Sequence, residues 1–129
     1  MRGGIAPHGV PLNRTRSEAF DDLVLDAVEE LDDHRAAEIA AVEFAVEEVP
    51  PLHHGVPDAD ADTVTDRSIP LGRLYRDGLE SVAAPVIVVY RRPIEARAID
   101  RDDCGDLVFA VVAELVAEYL GRDLDGMDL

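Results

Sequence analysis

The sequence predicts a small α+β domain: a short sheet packed against helices, with a long helix near the C-terminus. Three observations predict it. Phe20 to Leu31 carries apolar residues at helical spacing, "PVIVVYRRP" holds an unbroken β-branched and aromatic run, and "VVAELVAEYLG" is a second apolar helix pattern. The chain has 129 residues, enough for one domain with a real core and too few for two. Hydrophobic residues make up 47%, so the chain as a whole is expected to fold.

The elements follow in order. Residues 1–13, "MRGGIAPHGVPLN", hold three Gly and two Pro and read as an irregular arm. Thr15 and Glu18 fit a capping box, so a helix starts there. Phe20, Leu23, Val24, Ala27, Val28 and Leu31 then form one apolar stripe. Asp21, Asp22, Asp26, Glu29 and Glu30 fall off it and are expected to face water. His34 is placed at the tail of this helix, where a cation suits the dipole.

At Val42 the period changes. Val42, Phe44 and Val46 alternate with Glu43, Ala45 and Glu47, the pattern of a half-buried strand, and Pro50 and Pro51 end it. Leu52 to Ser68 reads as a long polar loop. Pro70 to Gly78 reads as a short strand running into a turn at Asp77-Gly78. Val86 to Tyr90 is suited to a central strand covered on both faces. A short helix through Ile94 to Ile99 follows. The last helix is expected from about Asp103 to Leu120, with Gly121 as its cap.

Charge narrows the function. There are 28 acidic and 12 basic residues, net −16, and every basic residue is arginine. A field of that sign repels phosphate backbones and anionic lipid, which argues against nucleic-acid and peripheral membrane roles. No segment approaches the roughly 18 apolar residues of a membrane span. The opening residues lack the apolar region of a secretory signal, so a cytoplasmic protein is expected.

Motifs for chemistry are sparse. The lone cysteine, Cys104, precludes an intramolecular disulfide and a cysteine-based zinc site. It lies near the start of the last helix, where a thiol pKa can fall, although a small residue near a cap is the plainer reading. Asp58, Asp60 and Asp62 have the spacing that opens an EF-hand. The positions that need Gly and Glu hold Thr63 and Ile69, so the segment reads as a solvated acidic loop. His53 and His54 are adjacent beside Gly55 and fit a turn better than a metal site. No P-loop, dinucleotide fingerprint or G-x-S-x-G is present.

Several segments, taken in order, resemble one family. "MRG" with its proline-containing arm, "FDDLVLDAVEEL", "VEFAVEEVP", "VIVVYRRPIEARA" and the closing "YLG" look like the zincin-like, minimal metalloprotease-like metallopeptidases, in particular a divergent actinobacterial branch. The resemblance covers most of the chain and implies one domain over residues 14–129. It implies a small zincin-like fold whose last long helix carries H-E-x-x-H. In the family, two histidines one turn apart bind zinc, and the glutamate acts as general base on the metal-bound water.

This chain departs from that motif. Aligned on Gly121, Glu114 and Glu118 take the histidine positions and Leu115 the base position. Slid by one, Glu114 takes the base position and Ala113 and Ala117 the ligand positions. A third placement further upstream meets Phe109-Ala110. All four histidines, His8, His34, His53 and His54, precede this helix. Glu114 and Glu118 share a helix face and could chelate a cation, with Asp123 or Asp125 as a third oxygen donor. They lie at the margin of the apolar stripe, where a solvated glutamate also sits. Like charges at this spacing cost only about 0.2–0.5 kcal/mol, too little to demand a metal.

The expected function is a metallopeptidase-family protein with a degenerate site. It carries no cofactor, zinc being the family's, and it binds a peptide or protein partner without cleaving it. Two alternatives stand beside this. One is an active zinc metallopeptidase using carboxylates or ligands from the Leu52 to Ser68 loop. The other is an acidic assembly module for a basic partner, with salt-sensitive affinity.

Overall fold

A computed structural model describes residues 16–51, 62–78 and 84–127. The 1–13 arm, His8, His53, His54, Asp58 and Asp60 lie outside the described residues. The described elements run α1 (Arg16–Ile39), β1 (Glu43–Glu47), β2 (Thr63–Asp66), β3 (Ile69–Tyr75), β4 (Val86–Tyr90), α2 (Arg91–Arg97) and α3 (Arg101–Met127). The four strands form one sheet in the order β1-β4-β3-β2. β1 runs parallel to β4, and the other two pairings are antiparallel. This is the small α+β domain with a long last helix that the sequence predicts.

The apolar stripes explain the layers. Phe20, Val24 and Ala27 of α1 are buried, and Leu23, Val28 and Leu31 pack beside them. They meet Val108, Val111, Val112, Leu115 and Val116 of α3. Phe44 and Val46 of β1, Leu74 of β3, and Ile87 and Val89 of β4 close this core from the sheet side. The acidic residues Asp21, Asp26, Glu29 and Glu30 are exposed as expected. β4 is internal and buried along its whole length. Its alternate residues Val86, Val88 and Tyr90 form a second cluster on the far face, with Ala45 and Tyr75. There the Tyr75 and Tyr90 hydroxyls lie 3.3 Å apart. Burial pushes the Tyr90 phenol well above its ordinary range, and the Tyr75 hydrogen bond adds to the shift.

Five boundaries differ from expectation. The segment expected as loop through Ser68 contains β2. A two-residue turn, Arg67-Ser68, joins it to β3, with Asp66 opposite Ile69. Both turn residues have positive φ, 51° and 70°, the condition for the tight turns that match strand twist. Register slips by one between Val64 and Thr65, which face Gly72 and Pro70. Leu71 is thereby left unpaired and is buried in the core. Pro70 can occupy this strand because it stands near its start, before the pairing with β4 begins at Gly72.

Helix α1 continues to Ile39, which places His34 inside the helix and not at its tail. Helix α2 begins at Arg91, three residues before the expected start. Pro93 then falls in the first turn, where a missing N–H costs nothing. Helix α3 begins at Arg101, because Asp100 accepts a hydrogen bond from the Asp103 N–H at 2.8 Å and Asp103 accepts one from the Ile99 N–H at 2.9 Å. It does not stop at Gly121. That glycine lacks the positive φ of a helix cap, and the backbone stays helical to Met127. Gly78, by contrast, turns the chain at φ 85°, as the Asp77-Gly78 signal predicts. No helix among the described residues is long and apolar enough to cross a membrane.

Candidate functional site on the last helix

The family motif falls on α3, so the faces of that helix decide what chemistry it can present. Leu115 is fully buried, as are Val112 and, nearly so, Val111 and Val116. They lie on the sheet because β3 offers Gly72 beneath them. A Cβ at Gly72 would stand 2.7 Å from Val111 Cγ1 and 3.1 Å from Leu115 Cδ1. The outward row is Ala113, Glu114, Ala117 and Glu118. Glu114 and Ala117 are exposed, and Ala113 and Glu118 are half-buried.

Glu118 is part of an ionic cluster. Arg76, just past the end of β3, donates from Nε to both oxygens of Asp62 at 3.2 and 3.1 Å, and from Nη2 to Oδ1 at 2.9 Å. The same Nη2 lies 3.5 Å from Glu118 Oε2 and 3.4 Å from the Glu118 carbonyl oxygen. Asp62 stands immediately before β2. One guanidinium therefore connects the edge hairpin to α3. Glu114 and Glu118 share a helix face as expected, but only Glu118 faces Arg76.

The edge strand is held at its other end too. Arg97 of α2 donates from Nε to Asp66 Oδ2 at 2.6 Å and from Nη1 to the Pro93 carbonyl at 2.8 Å. Between these anchors Thr65 faces solvent and Arg73 donates to Thr63 Oγ1 at 2.9 Å.

The "YRRPIE" turn is architectural. Arg91, 7% exposed, donates to both carboxylate oxygens of Glu48 and, at 2.8 Å, to Glu95. The Arg92 N–H donates to the Glu48 carbonyl at 3.0 Å. The end of β1 is thus fastened to the start of α2. The Arg91 hydrogen bond holds the Glu48 carboxyl below the usual carboxylate range, and Glu48 in turn raises Arg91.

Cys104 offers no activated thiol. It is buried among α1, α2 and α3, and burial pushes its pKa up, with Glu95 adding to the rise. A helix start can lower a thiol pKa, but here burial acts in the opposite direction. A groove of about 410 Å³ passes it, lined by Phe20, Leu23, Glu95, Ala98 and Arg101. This groove is ~20 Å along α3 from Glu118, at 1.5 Å per residue.

The motif positions of α3 carry no histidine in this chain. In the Gly121 register the base position is Leu115, inside the core, and one ligand position is Glu118, already facing a guanidinium. In the other register both ligand positions are alanines. Among the described residues no group of three or more His, Cys, Asp or Glu side chains is placed to hold a metal ion.

Fold and site together define a small α+β protein whose outward helix row lies beside the anchored edge of a mixed sheet. The model of the zincin-like metallopeptidase family matches residues 39–129, most of the chain, and the protein belongs to that family. A search of the curated proteins finds no match. The family resemblance in the sequence is therefore borne out. Sequence reasoning did not find Arg76 or its bridge to Asp62 and Glu118. Asp62 stood out only as the end of an acidic run, and nothing local marks Arg76.

Proposed function

We propose that this zincin-like protein has a degenerate H-E-x-x-H site and serves as a non-hydrolytic scaffold that binds an extended peptide or partner segment. The observation that carries the reading is the composition of α3. Glu114, Leu115 and Glu118, or Ala113, Glu114 and Ala117, stand where the family places histidine, glutamate and histidine. The binding edge is β2, the outer strand beside α3, because an edge strand presents unpaired backbone groups to an extended ligand.

Two measurements test this. Metal analysis and zinc titration of untagged protein give no stoichiometric zinc, and added zinc elicits no peptide hydrolysis. One zinc per chain, lost in Glu114→Ala, would support the active-peptidase alternative. A screen of unstructured peptides yields binders that slow hydrogen exchange in residues 63–66. Binders that protect only other segments, or no binders at all, sink the edge-strand reading.

The net charge of −16 supports a second reading, an acidic module for a basic partner, with the exposed Asp21, Asp26, Glu29 and Glu30 of α1 as contact face. Its affinity falls steeply with salt, whereas strand addition is far less sensitive.

A further inference from the structure

We propose that β1, the edge of the sheet opposite β2, takes up an extended partner segment whose two basic residues stand four positions apart on one face, with apolar residues between them on the other. The inference goes beyond the reading of β2 as a binding edge, and it stands whether or not α3 holds a metal.

Among the described strands β1 has one neighbour, β4. The backbone phase fixes what its outer side presents. Glu43 donates its N–H to the Pro85 carbonyl at 2.8 Å, so the amides of Glu43, Ala45 and Glu47 turn toward β4. Those of Phe44 and Val46 turn outward, together with their carbonyls. Phe44 and Val46 are only half-buried, whereas the residues beside them on β4, Ile87 and Val89, are fully buried. An added strand would extend that cover across the edge.

The side-chain faces supply the partner's chemistry. Phe44 and Val46 pack against the main core, while Ala45 packs with Val86, Val88 and Tyr90 on the far face. Strand alternation places Glu43 and Glu47 on that far face beside Ala45, and both are exposed. In an antiparallel addition, positions 43, 45 and 47 meet their partners as non-hydrogen-bonded pairs, where side chains approach most closely. Opposite charges in such pairs stabilise and like charges destabilise. The matching segment therefore has arginine or lysine opposite Glu43 and Glu47, and apolar residues opposite Phe44 and Val46.

The same glutamates argue against a second copy of this chain as the occupant. Two β1 strands paired about Ala45 would set Glu43 of each against Glu47 of the other. Charge on an edge strand guards against such self-pairing, and here it also selects a basic strand.

Nuclear magnetic resonance titration near neutral pH tests this. The probe is the capped peptide Ser-Thr-Arg-Val-Thr-Val-Arg-Thr-Ser. Its isomer Ser-Thr-Arg-Val-Thr-Arg-Val-Thr-Ser has the same charge but sends one arginine to the opposite face. The probe slows hydrogen exchange at the Phe44 and Val46 amides, and the isomer binds more weakly. Glu43→Gln/Glu47→Gln weakens binding about three- to thirty-fold, whereas the charge-matched Asp21→Asn/Asp26→Asn on α1 changes it by less than about twofold. Equal binding of the two peptides, or equal effects of the two charge variants, overturns the proposal. So does a dimer in sedimentation that protects these two amides without peptide. Protection confined to residues 63–66 supports the β2 reading and overturns this one, and protection at Phe44 and Val46 alone does the reverse.

Discussion

Gly72 of β3 lies directly under Leu115 of α3, so close that a single added methyl would stand 3.1 Å from the leucine and 3.0 Å from the Val88 carbonyl. This contact fixes the rotation of α3 about its own axis. It sends position 115 into the core and leaves 113, 114, 117 and 118 facing outward.

Gly72→Ala is therefore an overpacking change at a site walled partly by backbone. It destabilises by about 1–3 kcal/mol in urea unfolding. A loss below a few tenths would show that α3 does not ride so low on the sheet.

The same contact discriminates between the Gly121 register of the family motif and the register slid by one residue. Ala113→His with Ala117→His, leaving Glu114 between them, rebuilds H-E-x-x-H on outward positions. That variant folds, and calorimetry detects zinc binding that wild type lacks. Glu114→His, Leu115→Glu and Glu118→His together bury an unpaired carboxylate at a fully buried position and unfold the protein. Circular dichroism that finds the second variant native would refute the assignment of Leu115 to the core.

The Arg91–Glu48 link gives the fold an acid limit. Hydrogen bonding to Arg91 lowers the folded-state pKa of Glu48 below the unfolded value of about 4.3. A depressed carboxylate pKa stabilises the fold above the unfolded pKa, and the contribution disappears as pH falls through the folded one. Glu48→Gln thus lowers the melting temperature near neutrality, and its curve converges with that of wild type in acid. Parallel curves would mean that the pair is not coupled to folding.

Cys104 reacts slowly with iodoacetamide in the native protein at pH 8 and fast in denaturant. Burial both blocks access and raises the thiol pKa, so the native thiolate fraction is small. Equal rates in the two states would contradict the packing of α3 against α1.

Much of the fold was legible because burial repeats along the chain. The stripe of α1, the alternation of β1 and the run of β4 are local patterns, and each was buried as its period required. The helix ends were less legible. Gly121 has the residue type of a cap, yet a cap also needs positive φ there, which the backbone does not adopt. Strand β2 was hidden because its turn, Arg67-Ser68, carries none of the Asn or Gly that usually marks positive φ.

The sequence by itself determined the family, through ordered segments such as "VIVVYRRPIEARA", and the residue types on the last helix, since no folding can turn Ala117 or Glu118 into histidine. Only the tertiary structure decided which face of that helix is outward and what Glu118 meets. Arg76 is 14 residues from Asp62 and 42 from Glu118. Side-chain periodicity reports burial over neighbouring turns, whereas an ion pair across that separation exists only once β3 and α3 have packed.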